Sequence, residues 1–133
     1  MMNDFSFQNT TRVHFGKNAL SKLSSEVIRY GNKVLLVYGG TFLKKCGLYD
    51  KIVNELKKEN IEIFDYDLVK PNPRHTDINI GGRMCRDHGI EAVLGIGGGS
   101  AIDSAKAIAA LALADTDNCW DMVMAALERI REE

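Results

Sequence analysis

Apolar and polar positions follow two rhythms along the chain, a period of two and a period near 3.6, and the rhythms take turns. Phe5 and Phe7 alternate with polar neighbours, as do Val13 and Phe15. That predicts two short edge strands, candidates for a hairpin. Ala19, Leu20, Leu23, Val27 and Ile28 recur at helical spacing, so a helix is expected over residues 18–30, with Gly31 as its C-cap. Residues 33–38 (KVLLVY) are continuously apolar, the pattern of a strand buried on both faces, and Gly39-Gly40 ends it. Ile52, Val53 and Leu56 face away from lysines and glutamates, predicting an amphipathic helix over 49–60. Residues 61–66 (IEIFDY) read as the next strand. Pro71-Asn72-Pro73 forces an extended loop, because each proline restricts its own φ and its predecessor. A helix over 77–88 is expected to be weakened by Gly81-Gly82 and closed by Gly89. Residues 92–96 (AVLGI) form a third buried run, and a long helix follows. The last ten residues, MAALERIREE, read as a terminal helix. Strands alternating with helices at short intervals imply parallel βαβ units. The expected fold is therefore α/β, a Rossmann-like three-layer sandwich with a mainly parallel sheet.

Between the third strand and its helix stand Gly97, Gly98, Gly99 and Ser100, followed by Asp103 and Lys106. Bare backbone can approach a phosphate closely, and free N–H groups at a helix start concentrate partial positive charge. In open parallel sheets ligands sit beyond the carboxyl ends of the strands, where this loop must lie. A purely structural alternative is a tight turn with Ser100 as N-cap and Asp103 closing a capping box. Three consecutive glycines are harder to explain that way, since each adds conformational entropy lost on folding. The run is neither GxGxxG nor a P-loop. Asp103 and Lys106 share a helical face and either form an ion pair or leave the lysine to face a phosphate or a second domain.

Composition narrows the classes. At 133 residues the chain is one domain, and a net charge of −1 gives no electrostatic footprint for nucleic acid. Cys46, Cys85 and Cys119 are too widely spaced for a CxxC site, so reduced thiols in a cytoplasmic protein are the simplest reading. No apolar stretch is long enough to span a bilayer or to form the core of a secretory leader at the N-terminus.

Five segments together resemble the iron-containing alcohol dehydrogenases, and among them the NADPH-dependent butanol dehydrogenases. They are FQNTTRVHFGKNAL (7–20), KVLLVYGG (33–40), PNP (71–73), CRDHGIEAVLGIGGGSAIDSAKAIA (85–109) and CWD (119–121). The resemblance implies an NAD(P)-binding α/β domain over residues 1–121, which in full-length relatives precedes a helical domain that holds iron or zinc. It implies that Gly97, Gly98, Gly99 and Ser100 contact the cofactor pyrophosphate, with Asp103 and Lys106 as the family's aspartate and lysine in the next helix. Asn72 matches the asparagine that contacts the adenosine side, and Gly39, Gly40 and Thr41 the loop around the adenosine ribose. An acidic residue at that loop would favour NAD by accepting the ribose 2′-OH. Its absence, with Lys44 and Lys45 nearby, favours NADP, NAD being the alternative. On this placement, aspartate at position 39 should weaken NADPH binding and spare NADH.

The implied function is NADP-linked oxidation of a small alcohol or reduction of an aldehyde, with this chain supplying the cofactor-binding half. The alternative is a stand-alone non-catalytic nucleotide-binding module or a scaffold. The family's metal ligands have no counterpart here. His14, His75 and His88 are scattered and fall in no matching motif. The motif resemblance stops at Asp121, and residues 122–133 read as a short charged helix in place of the helical domain. The apolar helix over 101–114 is then expected to keep an exposed patch unless Leu127 and Ile130 fold over it or the chain forms a homodimer.

Overall fold

The computed structural model describes Asp4 and residues 6–132. Three parallel strands, β1 (Lys33–Val37), β2 (Glu62–Tyr66) and β3 (Ala92–Gly95), form a sheet in the order β2-β1-β3. β1 is central, with Leu35 beside Phe64 on one neighbour and Val93 on the other. Val34, Leu35, Leu36 and Val37 are fully buried, as a strand covered on both faces requires.

Successive residues of β1 serve different cores. Leu35 and Val37 pack with Ile78 and Cys85 of α4 (His75–His88) and with Ala105, Ile108 and Leu111 of α5 (Gly99–Ala112). Val34, Leu36 and Tyr38 pack on the other face with Val27 of α1 (Leu23–Val27) and with Ile52 and Leu56 of α3 (Leu48–Lys57). Helices on both faces of a parallel sheet make the expected three layers.

The elements differ from the sequence pattern in instructive places. The stretch around Val13 and Phe15 is not a strand. Both side chains are exposed, and Phe7 is exposed too. Phe5 lies outside the described residues. Alternation alone makes no strand where no partner strand lies among the described residues; an ion pair from Arg12 and a hydrogen bond with His14 tie this segment to Glu26 instead. The helix expected over 18–30 shortens to a 3-10 turn, Ala19–Lys22, running into α1. Gly31 follows with φ +151°, and the Glu91 carboxylate fills the space where a side chain would stand. That carboxylate accepts the N–H groups of Asn32 (2.7 Å) and Lys33 (3.3 Å), joining the start of β1 to the start of β3.

A short helix, α2 (Phe42–Lys45), carries only Leu43 into the core, too little for a periodic pattern to show. α4 runs unbroken through the Gly81-Gly82 pair. A Cβ on Gly81 would strike Ile108, and one on Gly82 would come within 2.8 Å of Leu111. The glycines let α4 and α5 approach closely. Arg86 of α4 then closes α5, donating to the carbonyls of Leu111 (2.7 Å), Ala114 (2.9 Å) and Thr116 (2.8 Å) and pairing with Asp117.

The terminal helix, α6 (Cys119–Glu132), begins earlier than its composition suggested. Asn79 accepts the Cys119 N–H at 2.7 Å, and Cys119 and Met122 pack on the α4–α5 core. Leu127 and Ile130 are exposed, so they do not cover α5, whose Ile102 is also exposed. Among the described residues, no helix is long and apolar enough to cross a membrane.

Candidate functional site

The carboxyl ends of β1 and β3 lie side by side, and the loops leaving them meet the PNP segment. Gly39, Gly40, Lys70, Pro71 and the run Gly97–Ala101 line a hollow of about 410 Å³, with Val69 and Ile96 as its apolar wall. Six of the residues singled out from the sequence, Gly39, Gly40, Gly97, Gly98, Gly99 and Ser100, thus share one concavity at the position where open parallel sheets bind ligands.

The glycines there have different reasons. Gly97 has φ +138°, a conformation L side chains rarely adopt. Gly39 forms an antiparallel bridge with Leu68, and a Cβ on it would strike the Val69 carbonyl. Gly98 and Gly99 are otherwise. Neither has positive φ, and a Cβ on either would meet nothing within 4 Å. The fold itself places no steric demand for glycine at these two positions.

The capping-box alternative does not form. α5 starts at Gly99 with Gly98 as N-cap (φ −84°, ψ −163°), and no side chain caps it. The Ser100 hydroxyl instead donates to the Pro71 carbonyl at 3.0 Å, fastening the PNP loop to the helix start. The Ala101 and Ile102 N–H groups both turn to the Gly98 carbonyl, at 3.1 Å each. Those of Gly97, Gly98, Gly99 and Ser100 donate to no acceptor among the described residues. Four unmatched donors at the positive end of a 14-residue helix, on a loop without side chains, suit an anion.

The remaining candidates stand around this centre. Asn72 is exposed between the two prolines, next to the carbonyl that Ser100 holds. Thr41 is the exposed N-cap residue of α2. Asp103 and Lys106 are both exposed and form no ion pair with each other among the described residues. Asp103 opens onto a second, larger hollow of about 720 Å³, bounded by α4, α5 and the start of α6.

Sequence reasoning missed the aromatic cluster behind the ribose loop. Lys44 Nζ lies 5.1 Å from the Tyr49 ring centroid and 5.7 Å from that of Tyr38, within cation–π reach of both. Tyr49 donates to Asp65 at 2.7 Å. Burial, reinforced by the Asp65 carboxylate, pushes the Tyr38 phenol up to about 12. Tyr38 before the glycines, Lys44 one turn past them and Tyr49 beyond are visible in the sequence; their convergence needed the fold. Steric closure around Gly39 also means that aspartate at this position would disturb the loop itself, so it cannot report on cofactor preference alone.

No group of three or more His, Cys, Asp and Glu gathers to hold a metal ion among the described residues. His14 sits on Glu26 at 3.1 Å, His75 lies near Trp120, and His88 stacks on Phe64 with centroids 4.6 Å apart. Burial raises both Cys85, to about 11, and Cys119, so neither thiol is poised as a nucleophile.

Known proteins share this arrangement. The family model described as iron-containing alcohol dehydrogenase matches residues 10–133, running past Asp121 where the motif resemblance ends. The chain belongs to the iron-containing alcohol dehydrogenase family. It is 48% identical over 123 residues to NADH-dependent butanol dehydrogenase B of Clostridium acetobutylicum, covering 92% of this chain and 31% of that protein. Against NADPH-dependent aldehyde reductase YqhD of Escherichia coli it is 34% identical, covering 84% of this chain and 28% of the other. The crystal structure of NADH-dependent butanol dehydrogenase A from Thermotoga maritima superposes with a TM-score of 0.83 at 44% identity, over 90% of this chain and 30% of that one. The chain thus spans about a third of the length of these relatives.

Proposed function

We propose that this chain binds a nicotinamide dinucleotide and supplies the cofactor-seating part of hydride transfer between a small alcohol and its aldehyde. The supporting observation is the pair Gly98 and Gly99, open toward solvent, unstrained and bordered by unmatched N–H donors. A diphosphate fits that set: the donors neutralise its oxygens, and missing side chains permit the approach. Gly97 turns the chain, and Ser100 fixes the helix start against Pro71. When bound, the nicotinamide supplies or accepts the hydride. The protein's part is to hold the diphosphate and orient the two nucleosides on either side of it. Asn72 and the Gly39-Gly40-Thr41 loop lie where they would meet the adenosine, and Lys106 adds positive field along α5.

For the form of the cofactor, local charge supports NADP. No carboxylate follows β1 at residues 39–41, and Asp65 at the end of β2 is engaged by Tyr49. The names of the relatives divide between NADH and NADPH. Calorimetric titration with both forms decides, and Lys44→Gln sharpens it. Loss of NADPH affinity with NADH spared supports the placement; equal loss of both overturns it.

The family's metal does not fit the described residues, because they gather no ligand set, and no catalytic step is assigned to them. The chain alone is expected to bind cofactor without reducing butyraldehyde. The decisive test is Gly98→Asp in the full chain: a fall in cofactor affinity of at least about tenfold supports the phosphate seat. Unchanged affinity removes it. Metal-dependent turnover by the unaltered chain would overturn the assignment of a seating role alone.

A further inference from the structure

α6 leaves the body of the domain after its first turn. Cys119 and Met122 join the α4–α5 core, but every residue from Val123 to Arg131 is exposed. A helical stretch this short is marginal in water on its own, because most helical stability comes from packing of an apolar face.

The spacing of the apolar residues shows which face that is. Trp120, Val123, Leu127 and Ile130 follow one another at intervals of three, four and three, the seam of a two-helix coiled coil, and Met124 widens it. Trp120 is 57% exposed, Val123 40%, Leu127 46% and Ile130 69%. By the same helical spacing Asp121, Glu128 and Arg129 fall on other sides of α6, so the seam itself carries no charge.

Two properties suit this seam to a second copy of itself. The intervals read the same in both directions, with Ala125 at their midpoint. An antiparallel pair centred there sets Trp120 against the partner's Ile130 and Val123 against the partner's Leu127, and each helix dipole meets the opposite end of its neighbour. It also keeps the two domain bodies at opposite ends of the helix pair, since each is joined to the N-terminal turn of its own α6. The second property is area. The five exposed side chains present on the order of 500 Å² per copy, so a pair buries about 1,000 Å², which is the threshold of a specific interface.

We propose that α6 is a self-association surface, through which two copies of this chain pair by an antiparallel, two-fold contact of their apolar seams. Trp120 and Val123 also line the larger hollow, so the contact brings the partner's Ile130 to the α6 rim of that hollow. The inference is independent of the phosphate seat.

The test is the oligomeric state of the full chain. Sedimentation velocity from about 1 to 100 μM should show monomer giving way to dimer, as befits an interface of this size. The emission of the single tryptophan should move to shorter wavelength over the same range, as the ring leaves water. Val123→Glu and Leu127→Lys, each alone, should weaken pairing at least about tenfold. Both side chains are exposed in the single chain, so urea melts of the monomer should be unchanged. An equimolar mixture of the two variants should recover the dimer, because only antiparallel pairing brings the introduced carboxylate and ammonium together. A chain that stays monomeric throughout, or a dimer that survives both substitutions, overturns the inference. Failure of the mixture to recover overturns the antiparallel contact.

Discussion

Two pairs of adjacent glycines in this protein do opposite things. Gly81-Gly82 sits inside α4, where helix propensity argues against it, and the neighbouring helix fills the missing side-chain space with Ile108 and Leu111. Gly98-Gly99 sits at the tip of β3, where nothing in the chain fills the space. The first pair is explained from within the fold. The second has no such internal reason, and on the function proposed above it leaves room for a ligand. A glycine becomes evidence of a ligand only after its internal reasons have been checked, and by that standard Gly39 and Gly97 count for less than their neighbours.

Substitutions break this contrast in graded ways. Gly81→Val forces a branched side chain into Ile108, and overpacking of this kind costs about 1–3 kcal/mol, with helix and core both disturbed. Urea melts should show that loss, while the remaining folded protein keeps its cofactor affinity. Gly99→Ala should do the reverse. An alanine in the first turn of α5 meets no atom and reduces the freedom of the unfolded chain, so stability should rise by about 0.4–1 kcal/mol. Cofactor affinity should nonetheless fall, and a more stable variant that binds as tightly as before would erase the distinction between the two pairs. Ser100→Ala removes the bond to Pro71 and should cost about 0.5–1.5 kcal/mol, with a larger effect on binding than on melting if the ridge shapes the seat.

The smallest effect lies far from both pairs. Hydrogen bonds from Arg12 and then His14 lower the Glu26 carboxyl from 4.5 to about 2. A carboxylate whose folded value is depressed contributes stability above its ordinary value and loses it as pH falls through the folded one. The stability difference between the natural chain and Glu26→Gln should therefore be constant above about pH 5, shrink below 4.5 and vanish near 2. Chemical denaturation across that range checks it. A difference independent of pH would mean that the N-terminal segment is held by something other than this carboxylate.

The pattern of residues carried the framework well for physical reasons that can be named. β1 was legible because a strand covered on both faces must be apolar throughout, and the loop after β3 because glycine runs are conspicuous. The parallel direction of the strands followed from the alternation of elements, whereas their order, with β1 in the centre, did not. What stayed hidden depends on spatial partners. Val13 and Phe15 alternate as strand residues do, yet no strand lies beside them among the described residues. The shortness of α2 hid it from periodicity. Asp103 joins the glycines by resemblance to a motif, and that it opens onto the neighbouring hollow needed the helix to be placed. Nothing in the sequence places Trp120 beside His75. The same is true of Lys44, whose ammonium settles over two tyrosines that lie six and five residues away in opposite directions.

The way β1 divides its residues between two cores has an evolutionary consequence. Odd-numbered positions answer to α4 and α5, even-numbered ones to α1 and α3, and only Tyr38 separates the strand from the glycine that closes against Val69. Inserting or deleting one residue within it would exchange every address at once and carry the ligand loop out of register. Change in this strand can therefore proceed only by substitution, whereas the exposed turn at Lys58–Asn60 is free to vary in length.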